Sequence, residues 1–447
     1  MTTTFQTRRD ILVSFDGGER SSIDVARPDK LRFWTDQDWS KMPVAISRGA
    51  GLSYAGASFG TGVVSIDHQQ FDRLVAFDEG TGELTVEAGA NLWTCQQFLL
   101  SRGFFLPCHP GHGRITIGGC VAADVHGKNP WRDGTFSAQV RGLTLLHPDH
   151  GILTIDRDTE PELLALTCGA FGLTGHILTV TLAARALSSP TVTMTRRVFD
   201  TSAEAFENLS LAVRTSDFAY SWHDLSIRNG GHLVLAATVD SEPSELIPVR
   251  TDGPPPLSAA SVQRLPFAVY NRLSLPVVNA AYRWKTRQFD GGKRVSVLDT
   301  LFPTHGSQFY FSLYGKTGFH EYQMLVQLSE AAIVVDEVKK RAARHGVPIA
   351  LCSAKAFGGE ERFLRFAGEG IAIAFNFVRS KAGDRLMADI DALVIAIRGK
   401  PNIVKDSRLT PEVLCSCHPG LDDFRSALRR FDPHRRIRSS LSERLEL

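Results

Sequence analysis

The sequence predicts an α+β protein of two domains, and three observations carry that expectation. The chain has 447 residues, more than one ordinary domain needs and enough to bury two cores. Its first part strings short strand-like runs between glycine loops, the pattern of a sheet rather than of a helical bundle. From about Thr191 the texture changes to longer alternating strands, such as TVTMTRRVFD, HLVLAATVD and YQMLVQL, with an amphipathic helix over 330–345. Strands and helices mixed this way suit an antiparallel sheet covered by helices. The boundaries expected are 1–190 for the first domain, 191–400 for the second, and 401–447 for a return to the first.

Charge and composition exclude several function classes. Lys and Arg number 50 against 48 Asp and Glu, so no global field recruits nucleic acid. No stretch approaches the ~20 apolar residues that span a bilayer. The twin Arg8 and Arg9 are not followed by an apolar run of signal-peptide length, and a cytoplasmic protein is expected. The seven cysteines are odd in number and scattered, which argues for reduced thiols. Cys108 with His109 and His112, and Cys415 with Cys417 and His418, are the two clusters that invite a metal. Neither offers four ligands at zinc spacing, so no metal is expected.

In chain order, residues 43–56 read PVAISRGAGLSYAG, an apolar strand running into Arg48, Gly49, Ala50, Gly51, Leu52, Ser53 and Tyr54. A strand followed by glycines aims backbone amides at an anion, with Arg48 and Ser53 as possible helpers. The G-x-G-x-x-G spacing and its helix are missing, so a Rossmann domain is not expected. Strand-like runs follow at 62–67, 73–78 and 83–90, with a Glu-Gly-Thr-Gly turn at 79–82. A helix is expected over 92–102, stopped by Gly103.

The second glycine stretch, 107–129, reads PCHPGHGRITIGGCVAADVHGKN. Glycine lacks the Cβ that would hold a phosphate off the backbone, and Thr116 to Gly119 reads as a helix start whose unpaired N–H groups favour an anion. Taken alone, such a stretch is more often a tight turn joining two elements. Paired with the loop at 48–54, it reads as a pyrophosphate cradle, with His126 at the far end where a reactive ring would reach.

Two glycine loops flanking D-x-x-T-G-x-L-T-V-E-A-G, ending in P-G-x-x-x-x-T-I-G-G, resemble the flavin domain of the vanillyl-alcohol oxidase and p-cresol methylhydroxylase superfamily. That resemblance implies a PCMH-type FAD-binding fold with an antiparallel-sheet substrate domain. It implies cofactor contacts from Arg48 to Tyr54, from Pro110, Gly111, His112, Gly113, Arg114, Thr116, Gly118 and Gly119, and from Ala122, His126, Asn129 and Ile177. Some members tether the flavin through a histidine just before the serine of the first loop. Leu52 stands there, so FAD is expected without a covalent link.

A narrower resemblance, to the decaprenylphosphoryl-ribose oxidases, runs through VAADVHGKN (121–129), FGLTGHI (171–177), Tyr322-Gln323, AKAFG (354–358), VKDSR (404–408) and the tail SSLSERLEL. It implies oxidation of a secondary hydroxyl of a polyprenyl-phosphoryl pentose, completed by a short-chain NAD(P)-dependent reductase partner. The alternatives are an oxidase of a soluble alditol, aldonolactone or cyclitol, and a flavin-free scaffold subunit. Matching pocket residues are His126, Lys128, Tyr322, Gln323, Lys355 and Lys405. Lys405 is the leading acid–base candidate, with pairing to Asp406 or another surface carboxylate as the alternative; His126 could be a packed histidine and Gln323 structural. Departures are Glu321 in place of an amide, and Ala372 and Ala374 where an asparagine and a cysteine are found. A proline-rich segment over 247–266 reads as a mobile loop or lid. The arginine-rich tail offers a peripheral membrane contact, against the alternative of an ordinary basic surface balanced by Asp422, Asp423 and Glu443.

Overall fold

The computed structural model describes residues 6–241, 264–303 and 309–447. Of the proline-rich segment, 247–263 lie outside the described residues. The chain is α+β. A four-stranded sheet sets Thr7–Val13, Arg20–Ala26, Val64–Asp67 and Ala45–Arg48 side by side, the last two in parallel. An antiparallel five-stranded sheet follows in the spatial order Leu74–Asp78, Glu83–Glu87, His176–Ala183, Val140–His147, Gly151–Asp156.

The third sheet has eight strands, ordered Lys293–Ser296, Thr191–Phe199, His232–Val239, Phe218–His223, Leu351–Phe357, Gly370–Val378, Phe319–Val326 and Lys400–Pro401. Side chains alternate across a strand, so one face of this sheet can be apolar and the other functional. Tyr322, Met324 and Val326 point into a core shared with the helices Leu328–His345 and Lys381–Ala396. Those helices present Val334, Val335 and Val338 against Leu386, Met387 and Ile390, all buried. Glu321 and Gln323 therefore face the opposite way. The antiparallel register sets Glu321 opposite Asn376 and Gln323 opposite Ala374, with Lys355 opposite Ala372 on the other flank.

After Pro401 the chain runs back to the first two sheets. Val404 accepts the Tyr54 amide, Ile437 bridges to Ala45, and Ser440 and Leu441 donate to the Phe59 and Gly56 carbonyls. The first glycine loop is thus held by the chain's last forty-odd residues.

Candidate active site

The two glycine loops meet at the wall of a cavity of about 340 Å³. It is lined by Gly49, Ala50, Gly51, Leu52, Ser53 and Tyr54 from the first loop and by Pro110, Gly111, Thr116, Gly119 and Ala122 from the second. Its other wall is the functional face of the eight-stranded sheet, with Glu321, Gln323, Lys355 and Asn376, flanked by His126 from the second loop and Lys405 from the turn Ile403–Lys405. Ala372 and Ala374 lie between them, and their small side chains leave the depth of the cavity. A larger, more open groove of about 1110 Å³ runs between residues 150–166 and 419–431. It touches neither glycine loop, so the chemistry belongs to the smaller cavity.

The loops fit a pyrophosphate for a reason partly different from the one the sequence suggests. Helix Ile117–Ala123 starts at Thr116, but its first amides are already used: Ile117 donates to Ala90, Gly118 to Ala88 and Gly119 to Thr116 Oγ1. The helix start therefore has little left to offer an anion. The amides of Gly49, Ala50, Gly51, Leu52, Ser53 and Gly111, by contrast, donate to no protein acceptor among the described residues. Buried backbone donors are almost always satisfied, so a row of open amides on one cavity wall fits phosphate oxygens. A Cβ on Gly49 would fall on Thr116 Oγ1, and Gly51 has φ +69, so both positions need glycine for the loops to close together.

Several sequence-predicted residues sit elsewhere. Arg48 is buried beneath the first loop, donating to Ser58 Oγ at 2.8 Å, and buttresses the cradle rather than lining it. Asn129 does not face the cavity: it caps the helix Pro130–Asp133 and donates to the Val213 and Ser216 carbonyls. Ile177 is packed in the core of the five-stranded sheet. Tyr322 points to the helical side, its hydroxyl donating to Asp391 at 2.9 Å, because strand alternation turns it away from Glu321 and Gln323. Gly118 packs against Ala88. His112, Gly113 and Arg114 form the turn behind Gly111; burial, with Arg114 and Lys405 nearby, lowers His112 to about 4. Lys128 is buried behind Gly111, its Nζ 5.3 Å from the Tyr220 ring centre; burial lowers it to about 8.

The polar end of the cavity is a directed chain of hydrogen bonds. The Val404 amide donates to Asn402 Oδ1 at 3.3 Å, Asn402 Nδ2 donates to Gln323 Oε1 at 2.6 Å, and Gln323 Nε2 lies 3.2 Å from His126 Nε2. Each bond fixes the orientation of the next amide, so His126 accepts at Nε2 and carries its proton on Nδ1. Burial holds the imidazole neutral, well below its ordinary value. Nδ1 faces the Gly127 carbonyl at 3.4 Å and Lys355 Nζ at 3.2 Å. An ammonium there would set donor against donor, whereas a neutral amine offers its lone pair. Burial, reinforced by Lys128 and Lys405, lowers Lys355 to about 7, in keeping with that amine.

Lys405 is ion-paired with Glu321 at 3.3 Å and lies 3.9 Å over the Tyr54 ring. Its carboxylate partner is inside the cavity, whereas Asp406 pairs with Arg408. Burial first, and Glu321 next, push the Tyr54 phenol well above its ordinary value. Asn376, absent from the sequence reading, donates Nδ2 to Glu321 at 2.8 Å, and its Oδ1 is buried without a partner. Alternation along IAIAFNF could have found it, since residues 372, 374 and 376 share one face.

The cysteine clusters show no metal geometry. Burial raises the thiol of Cys108 far above its ordinary value, and His418 Nε2 is engaged with the Pro401 carbonyl at 3.0 Å. Among the described residues no group of three His, Cys, Asp or Glu is placed to hold a metal, and no helix is long and apolar enough to cross a membrane.

Residues 33–156 match the family model described as an FAD binding domain. The chain is 27% identical over 428 residues to decaprenylphosphoryl-beta-D-ribose oxidase of Mycolicibacterium smegmatis, covering 90% of this chain and 89% of that protein. It is 29% identical over 377 residues to an uncharacterized protein in the mprA 5'region of Streptomyces coelicolor, covering 78% and 98%. A shorter match, 27% over 100 residues, covers 22% of this chain and 19% of D-arabinono-1,4-lactone oxidase of Eremothecium gossypii. The protein is a flavoprotein with a two-domain PCMH-type FAD-binding fold.

Proposed function

We propose that this FAD-dependent oxidoreductase oxidises a secondary hydroxyl of a phosphorylated sugar, with a polyprenyl-phosphoryl pentose as the substrate that its residues fit best. The observation that carries this reading is the placement of Lys355 and Lys405 at the polar end of the cavity, with Glu321 as the carboxylate beside them and Lys128 behind Gly111 at its wall. Likeness over nine-tenths of the chain to an oxidase of a lipid-linked ribose supports it.

Bound FAD would be held by the open amides of the two glycine loops and would accept the hydrogen leaving the carbinol carbon. The chain's own residues supply the rest. Lys355, as a neutral amine, exchanges the His126 Nδ1–H for the substrate hydroxyl and takes its proton as the carbonyl forms, while the His126 Nδ1–H falls back on the Gly127 carbonyl. Asn376 Oδ1 offers its unused acceptor to a second hydroxyl, and Lys128 supplies positive charge for the phosphate. Lys405 is held by Glu321 and orients the sugar rather than acting as the base. The keto sugar produced is a substrate for an NAD(P)-dependent reductase, which completes an epimerisation.

Glu321 favours a second reading. A carboxylate inside the cavity disfavours an anionic group beside it and suits the hydroxyls of a neutral polyol or aldonolactone. Anaerobic mixing of the purified protein with a farnesyl-phosphoryl pentose, and separately with free pentitols, tests both. Bleaching of the oxidised flavin band by the lipid-linked sugar alone is expected. Bleaching by free pentitols alone overturns the phosphorylated-sugar reading in favour of the second.

A further inference from the structure

Helix Ser274–Thr286 has an inner face that is accounted for and an outer face that is not. Inside, Leu275 and Val278 belong to the apolar cluster that also holds Tyr270, Tyr314 and Tyr54, so the helix shares a core with the tyrosine that lines the cavity. Outside, Leu273, Val277 and Trp284 recur at helical spacing and are 86%, 69% and 73% exposed. Ala280 and Ala281 fill the stripe between them. Single exposed apolar residues are ordinary, but an aligned stripe ending in tryptophan is an interaction surface.

The charges beside the stripe say what covers it. Arg272, Lys285 and Arg287 are exposed, and none has a carboxylate partner among the described residues. Basic residues elsewhere on this side are engaged: Arg283 with Asp224, Arg294 with Asp240, and Arg196 with Asp290. Four of the tail arginines are similarly occupied, while Arg429 and Arg430 are exposed on a helix with no apolar stripe beside them. Arg435 and Arg438 pair with Glu443, Arg425 donates to the Leu445 and Glu446 carbonyls, and Arg436 donates to the Trp39 and Met42 carbonyls. An apolar stripe with tryptophan at one end and unpaired cations along it matches the interface of an anionic bilayer, where the ring sits at headgroup level and the cations meet lipid phosphates.

We propose that the outer face of helix Ser274–Thr286 docks the protein on an anionic lipid surface. One helix then separates the bilayer from the cavity wall at Tyr54. The inference is independent of the substrate assigned above, because it concerns a surface whose occupancy is read without turnover.

The test is flotation of the full flavin-loaded chain with phosphatidylglycerol vesicles and with phosphatidylcholine vesicles. The protein is expected to float with the anionic vesicles and to stay behind with the neutral ones, and added salt should reduce flotation. Leu273→Ser with Trp284→Ser, and separately Lys285→Glu with Arg287→Glu, should each cut flotation by at least about tenfold. Both variants should keep the flavin spectrum and melting temperature of the parent. Arg429→Glu with Arg430→Glu, on the exposed side of the tail helix, should float as the parent does. Failure of the parent to float overturns the proposal, as does loss of flotation in the tail variant alone. A dimer dissolved by the Leu273 and Trp284 substitutions assigns the face to a second copy and overturns it too.

Discussion

Lys355 and His126 show how a residue's role follows from its neighbours rather than its type. Gln323 forces the tautomer of His126, and that tautomer asks Lys355 for a lone pair instead of a proton. A lysine lowered to about 7 by burial is charged below that pH and neutral above it. Flavin reduction should therefore slow about tenfold per pH unit as pH falls below 7 and level off above it. Glu321→Gln keeps the shape while removing a negative charge from the cavity. It should tighten binding of a phosphorylated sugar by about tenfold, roughly 1.4 kcal/mol, measured as a fall in Kd by flavin fluorescence; unchanged affinity would place the phosphate away from Glu321. Leu52 has no nucleophile, so acid precipitation should leave all the FAD in the supernatant; a yellow pellet would show a covalent bond at another residue.

At the scale of elements, the cavity owes its depth to two alanines on one strand. Ala374, opposite Gln323, is buried on the cavity face. Ala374→Leu would place a branched side chain in that space. It should raise KM about tenfold or more while costing roughly 1–3 kcal/mol of stability. An unchanged KM would mean that the substrate lies along another wall. On the opposite face of the same sheet, Ile390 is fully buried against the strand core. Ile390→Ala should destabilise the fold by about 2–5 kcal/mol in denaturant melts, with the flavin reduction rate of the remaining folded protein unchanged. The two faces thus separate activity from stability.

Over the whole molecule, the parts most legible in the sequence were those set by local pattern. The glycine loops, the alternating strands around residues 191–199 and 232–239, and the helix ending at His345 with Gly346 beyond it all announce themselves by spacing or by a residue that only one conformation suits. Face assignment was less legible. Tyr322 and Gln323 are neighbours in sequence and look equally available, yet strand alternation sends one to Asp391 and the other to His126. Asn129 and Arg48 turn from the cavity to Ser216 and Ser58, contacts that no local pattern reveals. The open amides of the first loop follow from where every neighbouring donor finds its acceptor, a property of the fold and not of the glycine spacing. The partner of Lys405 lies 84 residues upstream at Glu321, a separation that local spacing cannot bridge.

The most direct test of the site is the pH dependence of anaerobic flavin reduction in the parent and in Lys355→Met, using whichever sugar bleaches the flavin. The account predicts a parent rate that rises to a plateau near pH 7 and a variant that is slower by about 10²-fold or more and flat with pH. A variant that keeps the parent's rate and profile would contradict it, and would move the proton acceptor away from the His126 and Lys355 pair.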